Sequence, residues 1–460
     1  MKKYLALMGA AILIMALAMP AAAQMLTKSW GFIEIYHGYE RNPDFKTGSG
    51  VYRQGTGYSF GAANQDITYK FLYERFRLFL QHGDAKTVMG VIGFEADSTD
   101  WGEGSPTSLT GGKFGRYTID TVQMEIKWAY MHFVIPNTPV TVRLGAQDFN
   151  YGGRLYVNND AMGGKVRASF APHQIEAAWW RENDNSRTGT EIRENYALEY
   201  KLTQKDFNAY AWGAYTNQNL GFVQDHPYWL GVGGGFKPGN FNFSGQFVYV
   251  AGNREDRAST LVTKDYGAFA AEVLGYYQIG PGLKAGAEFF YATGNDANNQ
   301  NTKINMYPTA TSSEAKSIFG NDRTVFFWMA SSIFGNQFNK ENDFGGYWYG
   351  RLTAEYSPVK WMNLIFNYLY IQDTSTGNPN GTRVVNSPEN GAQQWKDSSD
   401  VGQEINVIAK INIQKGLGWN LGLAYFIPGS VFDRYNTAGT AVIKTPDPAW
   451  ALNGRLRYDF

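Results

Sequence analysis

Apolar and polar residues alternate with a period of two along most of the chain. In Glu194–Leu202, Tyr196, Leu198, Tyr200 and Leu202 alternate with Asn195, Glu199 and Lys201. In Asp400–Gln414, Ile405, Val407, Ala409, Ile411 and Ile413 oppose Glu404, Asn406, Lys410 and Asn412. In Asp120–Val134, Val122, Met124, Ile126 and Trp128 share one parity, and Thr121, Gln123, Glu125, Lys127 and Ala129 the other. A β-strand turns successive side chains to opposite faces. Each segment therefore reads as a strand with one oily and one ionic face. About eighteen such segments, each roughly ten residues long, run from Thr27–Tyr39 to Trp450–Phe460.

The connections between them alternate between short and long. Short ones include Pro172-His173, Pro238-Gly-Asn240, Gly280-Pro-Gly282 and Pro358-Val-Lys360, rich in residues that set tight-turn dihedrals. Long ones include Glu40–Asp66, Asn150–Gly163, Asn217–Pro227, Gly294–Gly345 and Thr374–Ser399. A Greek-key sandwich has no reason to keep that rule. An up-and-down barrel does, with turns at one rim and loops at the other. The expected fold is all-β: a transmembrane antiparallel barrel of about eighteen strands, with short periplasmic turns and long extracellular loops. Closure would also remove the free edge that a strand at Trp450–Phe460 otherwise exposes.

The ends and the composition fit that picture. Lys2 and Lys3, the apolar Leu5–Leu17 and the small Ala21-Ala22-Ala23 read as a secretory signal cleaved near Ala23. The expected organisation is a signal peptide over 1–23 and one barrel domain over 24–460, placed in the outer membrane of a Gram-negative cell. No second apolar run of about 18 residues exists, so helical spans after the signal are excluded. Cysteine is absent, so disulfides supply no stability. Aromatics reach 16%, which suits the interfacial girdles of a membrane barrel. A formal net charge of zero argues against a nucleic-acid partner. At the far end, Leu456, Tyr458 and Phe460 share a parity, and the segment resembles the C-terminal assembly signal of outer-membrane barrels.

Charged side chains cost about 2–4 kcal/mol at the lipid midplane, so the ionic parity must point inward. The pore-lining candidates are Arg75, Arg77, Glu95, Glu125, Lys127, Arg143, Gln147, Arg167, Arg351, Glu355, Glu404, Lys410, Arg455 and Arg457, with Asp97, Lys165, Glu199, Lys201 and Glu288 on the same parity. If the last strand pairs with the first and the first with the second, Arg455 lies near Arg75 and Arg77, with Glu34 between. Such a patch sets ion preference, or it is a structural ladder of ion pairs; both readings stand. Gly294–Gly345 is the longest connection and contains the apolar run Thr324–Ala330. Either it folds into the lumen and narrows it, or it extends as a hairpin above the membrane.

Catalytic chemistry is not indicated. His82 and His173 fall in turns, His226 in a loop and His132 on the lipid-facing parity, and nothing groups a His with a nucleophile and an acid. No metal or cofactor is expected; oxygens from Asn295-Asp296 to Asn301 could bind calcium, but a solvated loop is the favoured reading of that cluster. The partners implied are outer-membrane lipid, the barrel-assembly machinery, small hydrophilic solutes or anions, and a second copy of the chain in a homo-oligomer.

Several short motifs carry a family likeness: Arg75-Phe-Arg77, Ala129-Tyr130 with Gly145-Ala-Gln147, Gly402-Gln-Glu404-Ile405 and Phe426-Ile-Pro428-Gly429. They resemble the alginate-export and porin-like family of outer-membrane barrels. The resemblance implies an eighteen-stranded barrel that carries polysaccharide or small anions through an arginine-lined lumen. Ala146 stands where that family usually has Arg, and the inward charges are balanced. The expectation is therefore a porin for passive diffusion of small hydrophilic solutes, with a dedicated polysaccharide exporter as the alternative. An outer-membrane hydrolase or a plugged surface-binding barrel are the more distant alternatives.

Overall fold

The computed structural model describes residues 27–41, 68–97, 124–184, 191–257, 262–294, 302–305, 307–308, 346–374, 399–430, 434–435, 442–444 and 447–460. Eighteen long strands form one closed antiparallel barrel. They are β1 (Thr27–Arg41), β2 (Thr68–Gly83), β3 (Val88–Asp97), β4 (Met124–Val134), β5 (Val140–Tyr151), β6 (Val157–Phe170), β7 (His173–Asp184), β8 (Glu191–Thr203) and β9 (Phe207–Leu220). Then follow β10 (Val223–Phe236), β11 (Phe241–Asp256), β12 (Val262–Gly280), β13 (Leu283–Ala292), β14 (Tyr347–Val359), β15 (Met362–Asp373), β16 (Asp400–Gln414), β17 (Leu417–Pro428) and β18 (Ala449–Asp459). Neighbours in sequence are neighbours in the sheet, and β18 pairs back onto β1 with Glu34 opposite Arg457. Residues 1–23, expected to be a signal peptide, the run Thr324–Ala330 and the cluster Asn295–Asn301 lie outside the described residues.

Parity decides which face meets lipid. On β10, Tyr228, Leu230 and Val232 are exposed while Trp229 between them is buried. On β8, Tyr196, Leu198 and Tyr200 point out, and Asn195 and Glu199 are buried within. The same sorting on the other strands gives an apolar outer belt, as lipid contact requires.

Two expectations need correction. The connections Asn217–Pro227 and Asn150–Gly163 are not long loops. Strand β9 runs to Leu220 and β10 resumes at Val223, leaving only Gly221 and Phe222 to turn. Likewise β5 continues to Tyr151 and β6 begins at Val157. Beyond the lipid belt an outward face need not be oily, so polar pairs such as Asn219 and Gln224 extend the ladder without the alternation that marks a membrane strand.

The second correction concerns β4. Gly93 pairs with Trp128 and Phe94 with Ile126, which leaves Lys127 as an extra residue without a register partner on β3. Such a bulge shifts parity by one. Ile126 faces out and Met131 faces out, but Trp128 turns inward, its ring 4.6 Å from that of Phe79. His132, placed two pairs further on, moves with Trp128 to the inner side and Ala129 to the outer.

Candidate lumen wall and constriction

The inner face of β18, β1, β2, β3 and β4 is ionic. Glu34 is 2% exposed and stands in register between Arg75 and Arg457. Its carboxylate accepts from the Tyr36 hydroxyl at 2.6 Å and from Arg457 at 3.3 Å, with Arg455 at 3.8 Å. Arg457 rather than Arg455 is thus opposite Glu34, and Arg455 faces Tyr36; pairing order alone had not set that register. On the next strands Arg77 pairs with Glu95, and Arg75 lies 3.8 Å from the same carboxylate. Lys127 reaches Glu95 at 3.6 Å, Glu125 at 3.3 Å and Asp160 at 2.8 Å. The bulge allows this, because it turns both Lys127 and Trp128 toward Asp160, to which the Trp128 indole donates at 2.8 Å. The expected basic patch is therefore interleaved with acids rather than purely positive.

The wall continues through β5 to β8. Arg143 sits 4.5 Å over the Tyr130 ring and 3.5 Å from Asp148, and Lys165 is 3.7 Å from Asp148. Glu176 accepts from Arg167 at 2.6 Å and from the Tyr151 hydroxyl at 2.6 Å. Lys201 and Glu199 pair at 2.6 Å. Gln147 is fully covered, and its amide donates to the Gly163 carbonyl at 3.2 Å.

On β13 to β16 the polar groups are buried and linked in series. Arg351 binds Glu288 at 2.5 Å and donates to Asn367 at 2.9 Å. Asn367 donates to Asn406 at 2.9 Å, and Asn406 donates to Glu404 at 2.8 Å. A buried charge is costly unless it is paired and hydrogen-bonded, and this chain supplies both. Lys284 and Glu355 pair at 2.8 Å, and Lys410 stands in register between Asn363 and Asn420.

Two connections at the loop rim lie against this wall. The first is Gly152–Tyr156. Gly152 and Gly153 take φ of 66° and 57°, a left-handed conformation that glycine adopts without strain. The turn delivers Tyr156 among three inward tryptophans, with ring centroids 6.0 Å from Trp180, 5.6 Å from Trp212 and 4.6 Å from Trp229. The second comprises residues 302–305 and 307–308. Lys303 and Ile304 pair in parallel with Asp265 and Tyr266 on β12. The Tyr307 hydroxyl donates to the Leu155 carbonyl at 2.9 Å, and the Trp229 indole donates to the Pro308 carbonyl at 3.2 Å. Burial pushes the Tyr307 phenol well above its ordinary range. The two segments and the aromatic wall share one apolar cluster inside the barrel.

That aromatic wall was missed by the ion-seeking logic of parity. A signal did exist: Trp179 and Trp180 are adjacent, so only one of them can face lipid. Among the described residues no three His, Cys, Asp or Glu side chains converge to hold a metal ion.

No protein-family model matches the sequence, and no curated protein matches it. Solved structures do match the barrel. A double variant of OccD1 (OprD) superposes with a TM-score of 0.53 at 11% identity, covering 96% of this chain and 97% of that one. OccK8 (OprE) of Pseudomonas aeruginosa gives 0.52 at 11% identity, over 94% and 98%. The outer membrane protein OprD of Pseudomonas aeruginosa gives 0.52 at 11% identity, over 96% of each chain. At such identities the likeness speaks for the eighteen-stranded closed fold.

Proposed function

We propose that the chain is an outer-membrane porin that lets small hydrophilic solutes diffuse through its lumen, narrowed by Gly152–Tyr156 and by residues 302–305 and 307–308. The observation that carries this reading is the two-faced wall: lipid-compatible side chains outside and ion pairs inside, around a barrel that closes. A barrel with no passage has little reason to keep Arg77, Lys127, Arg167 and Lys201 on its inner face. The likeness to OprD and OccK8 supports the same reading. The interleaving of Glu34 and Glu95 with the arginines favours a general channel over an alginate-export-like track for polyanions. In this reading Leu456, Tyr458 and Phe460 are the strand end presented to the barrel-assembly machinery, and no chemistry is performed on the solute. Insertion of the purified protein into a planar bilayer tests it. Discrete, voltage-tolerant conductance steps in potassium chloride are expected; folded protein that inserts without conductance contradicts it.

A further inference from the structure

The inner wall differs sharply from one side of the barrel to the other. Ion pairs crowd β1 to β8. On β9 to β12, at the turn-rim half of the barrel, a cavity of about 420 Å³ is lined by amide, hydroxyl and carboxylate side chains, by glycines, and by Tyr210, Leu274, Phe207 and Phe236. Across β9, β11 and β12 its polar strand lining comprises Asn208 and Tyr210, then Asn242, Ser244 and Gln246, then Glu272. Glu272 is the single charged group among these strand residues; Lys205, Asp206 and Lys237 sit on the turns at its mouth.

The site is built across four strands. Beyond Trp229 the inward positions of β10 are the glycines Gly231, Gly233 and Gly235, and a Cβ on Gly233 would stand 2.4 Å from the Tyr210 ring. The phenol ring therefore lies flat across β10 rather than projecting into the lumen. Its hydroxyl donates to Gln246 at 3.3 Å, and the Gln246 amide donates to Glu272 at 2.9 Å. From the loop side, Gly153 closes down on the Gln246 amide, where an added Cβ would come within 3.0 Å. The result is a ring face beside a fixed row of groups that both donate and accept.

We propose that this cavity is a binding subsite for neutral polyhydroxylated solutes of mono- or disaccharide size. This rests on reading the chain as a channel and names the solute class. An anion wants donors only, and a cation acceptors only. Amides and hydroxyls offer both, which is what a sugar hydroxyl needs. A flat tyrosine supplies the apolar surface that the C–H face of a pyranose covers. The volume lies within the usual range of small-molecule sites, roughly 300–1,000 Å³.

The test uses the folded full-length barrel in detergent and in planar bilayers, with maltose, glucose and sucrose as ligands and citrate as the charged comparison. Maltose is expected to change intrinsic fluorescence saturably and to interrupt the salt current. Gln246→Leu should raise its half-saturating concentration at least tenfold. Tyr210→Phe, the milder change, should raise it less. Current with no fluorescence response and no interruption by any of the three sugars overturns the subsite but leaves the channel. Saturable sugar binding without current leaves the subsite and overturns the channel. An unchanged maltose response in folded Gln246→Leu also overturns the subsite.

Discussion

Phe460 and Gly31 exchange two backbone hydrogen bonds, each 3.1 Å, so the last residue of the chain is stitched to the first strand. The Phe460 ring also stacks on Phe76 of β2, with centroids 6.3 Å apart. A glycine at the joint is required by close approach. A Cβ on Gly31 would stand 2.1 Å from the Arg77 carbonyl oxygen and 2.9 Å from the Phe460 ring. Gly31→Val is expected to lower the yield of compact, heat-modifiable barrel on refolding several-fold. Gly90→Val, where an added Cβ meets nothing within 4 Å, should refold normally.

The buried pair Arg351 and Glu288 makes a second case. Their side chains are 2% and 0% exposed, so removing one charge strands the other. Glu288→Gln should cost about 3–5 kcal/mol in urea unfolding from lipid vesicles. Combining it with Arg351→Met should recover a large part of that loss, because an uncharged pair has no charge to desolvate.

The bulge at Lys127 makes a labelling prediction. In a chain without native cysteine, Trp128→Cys should react with a charged, membrane-impermeant thiol reagent, and Ala129→Cys should not. The uninterrupted alternation of Asp120–Val134 gives the reverse pattern, so the two readings separate cleanly.

Tyr307 links the inward segment to pH. Below about pH 10 a phenol is neutral whether buried or exposed. Above that, the freed phenol ionises while the buried one resists, so docking of residues 307–308 weakens as pH rises through the alkaline range. Conductance should climb as pH rises above about 10. In Tyr307→Phe that climb should be smaller, and the lost hydrogen bond to Leu155 should cost about 1 kcal/mol.

How much of this was legible beforehand varies along the chain. Tyr196, Leu198 and Tyr200 against Asn195 and Glu199 already read as one strand with its faces assigned, because lipid punishes any other arrangement. The flip at Trp128 was not legible, since one inserted residue changes parity without changing composition. The turn at Gly221 and Phe222 was hidden because polar strand above the lipid looks like loop. The register that sets Arg457 opposite Glu34 depends on barrel stagger, which no single segment encodes. Leu155, Tyr156 and Tyr307 lie in stretches with no periodicity, and they meet the Trp212 and Trp229 wall only once the ring has closed.

The central claim is that one side of every ribbon meets water and the other meets lipid. Single cysteines along β11, at Asn242, Phe243, Ser244 and Phe247, tested in proteoliposomes with a charged thiol reagent, address it most directly. Fast labelling at Asn242 and Ser244, with none at Phe243 and Phe247, is the predicted result. Equal reactivity at all four would contradict it.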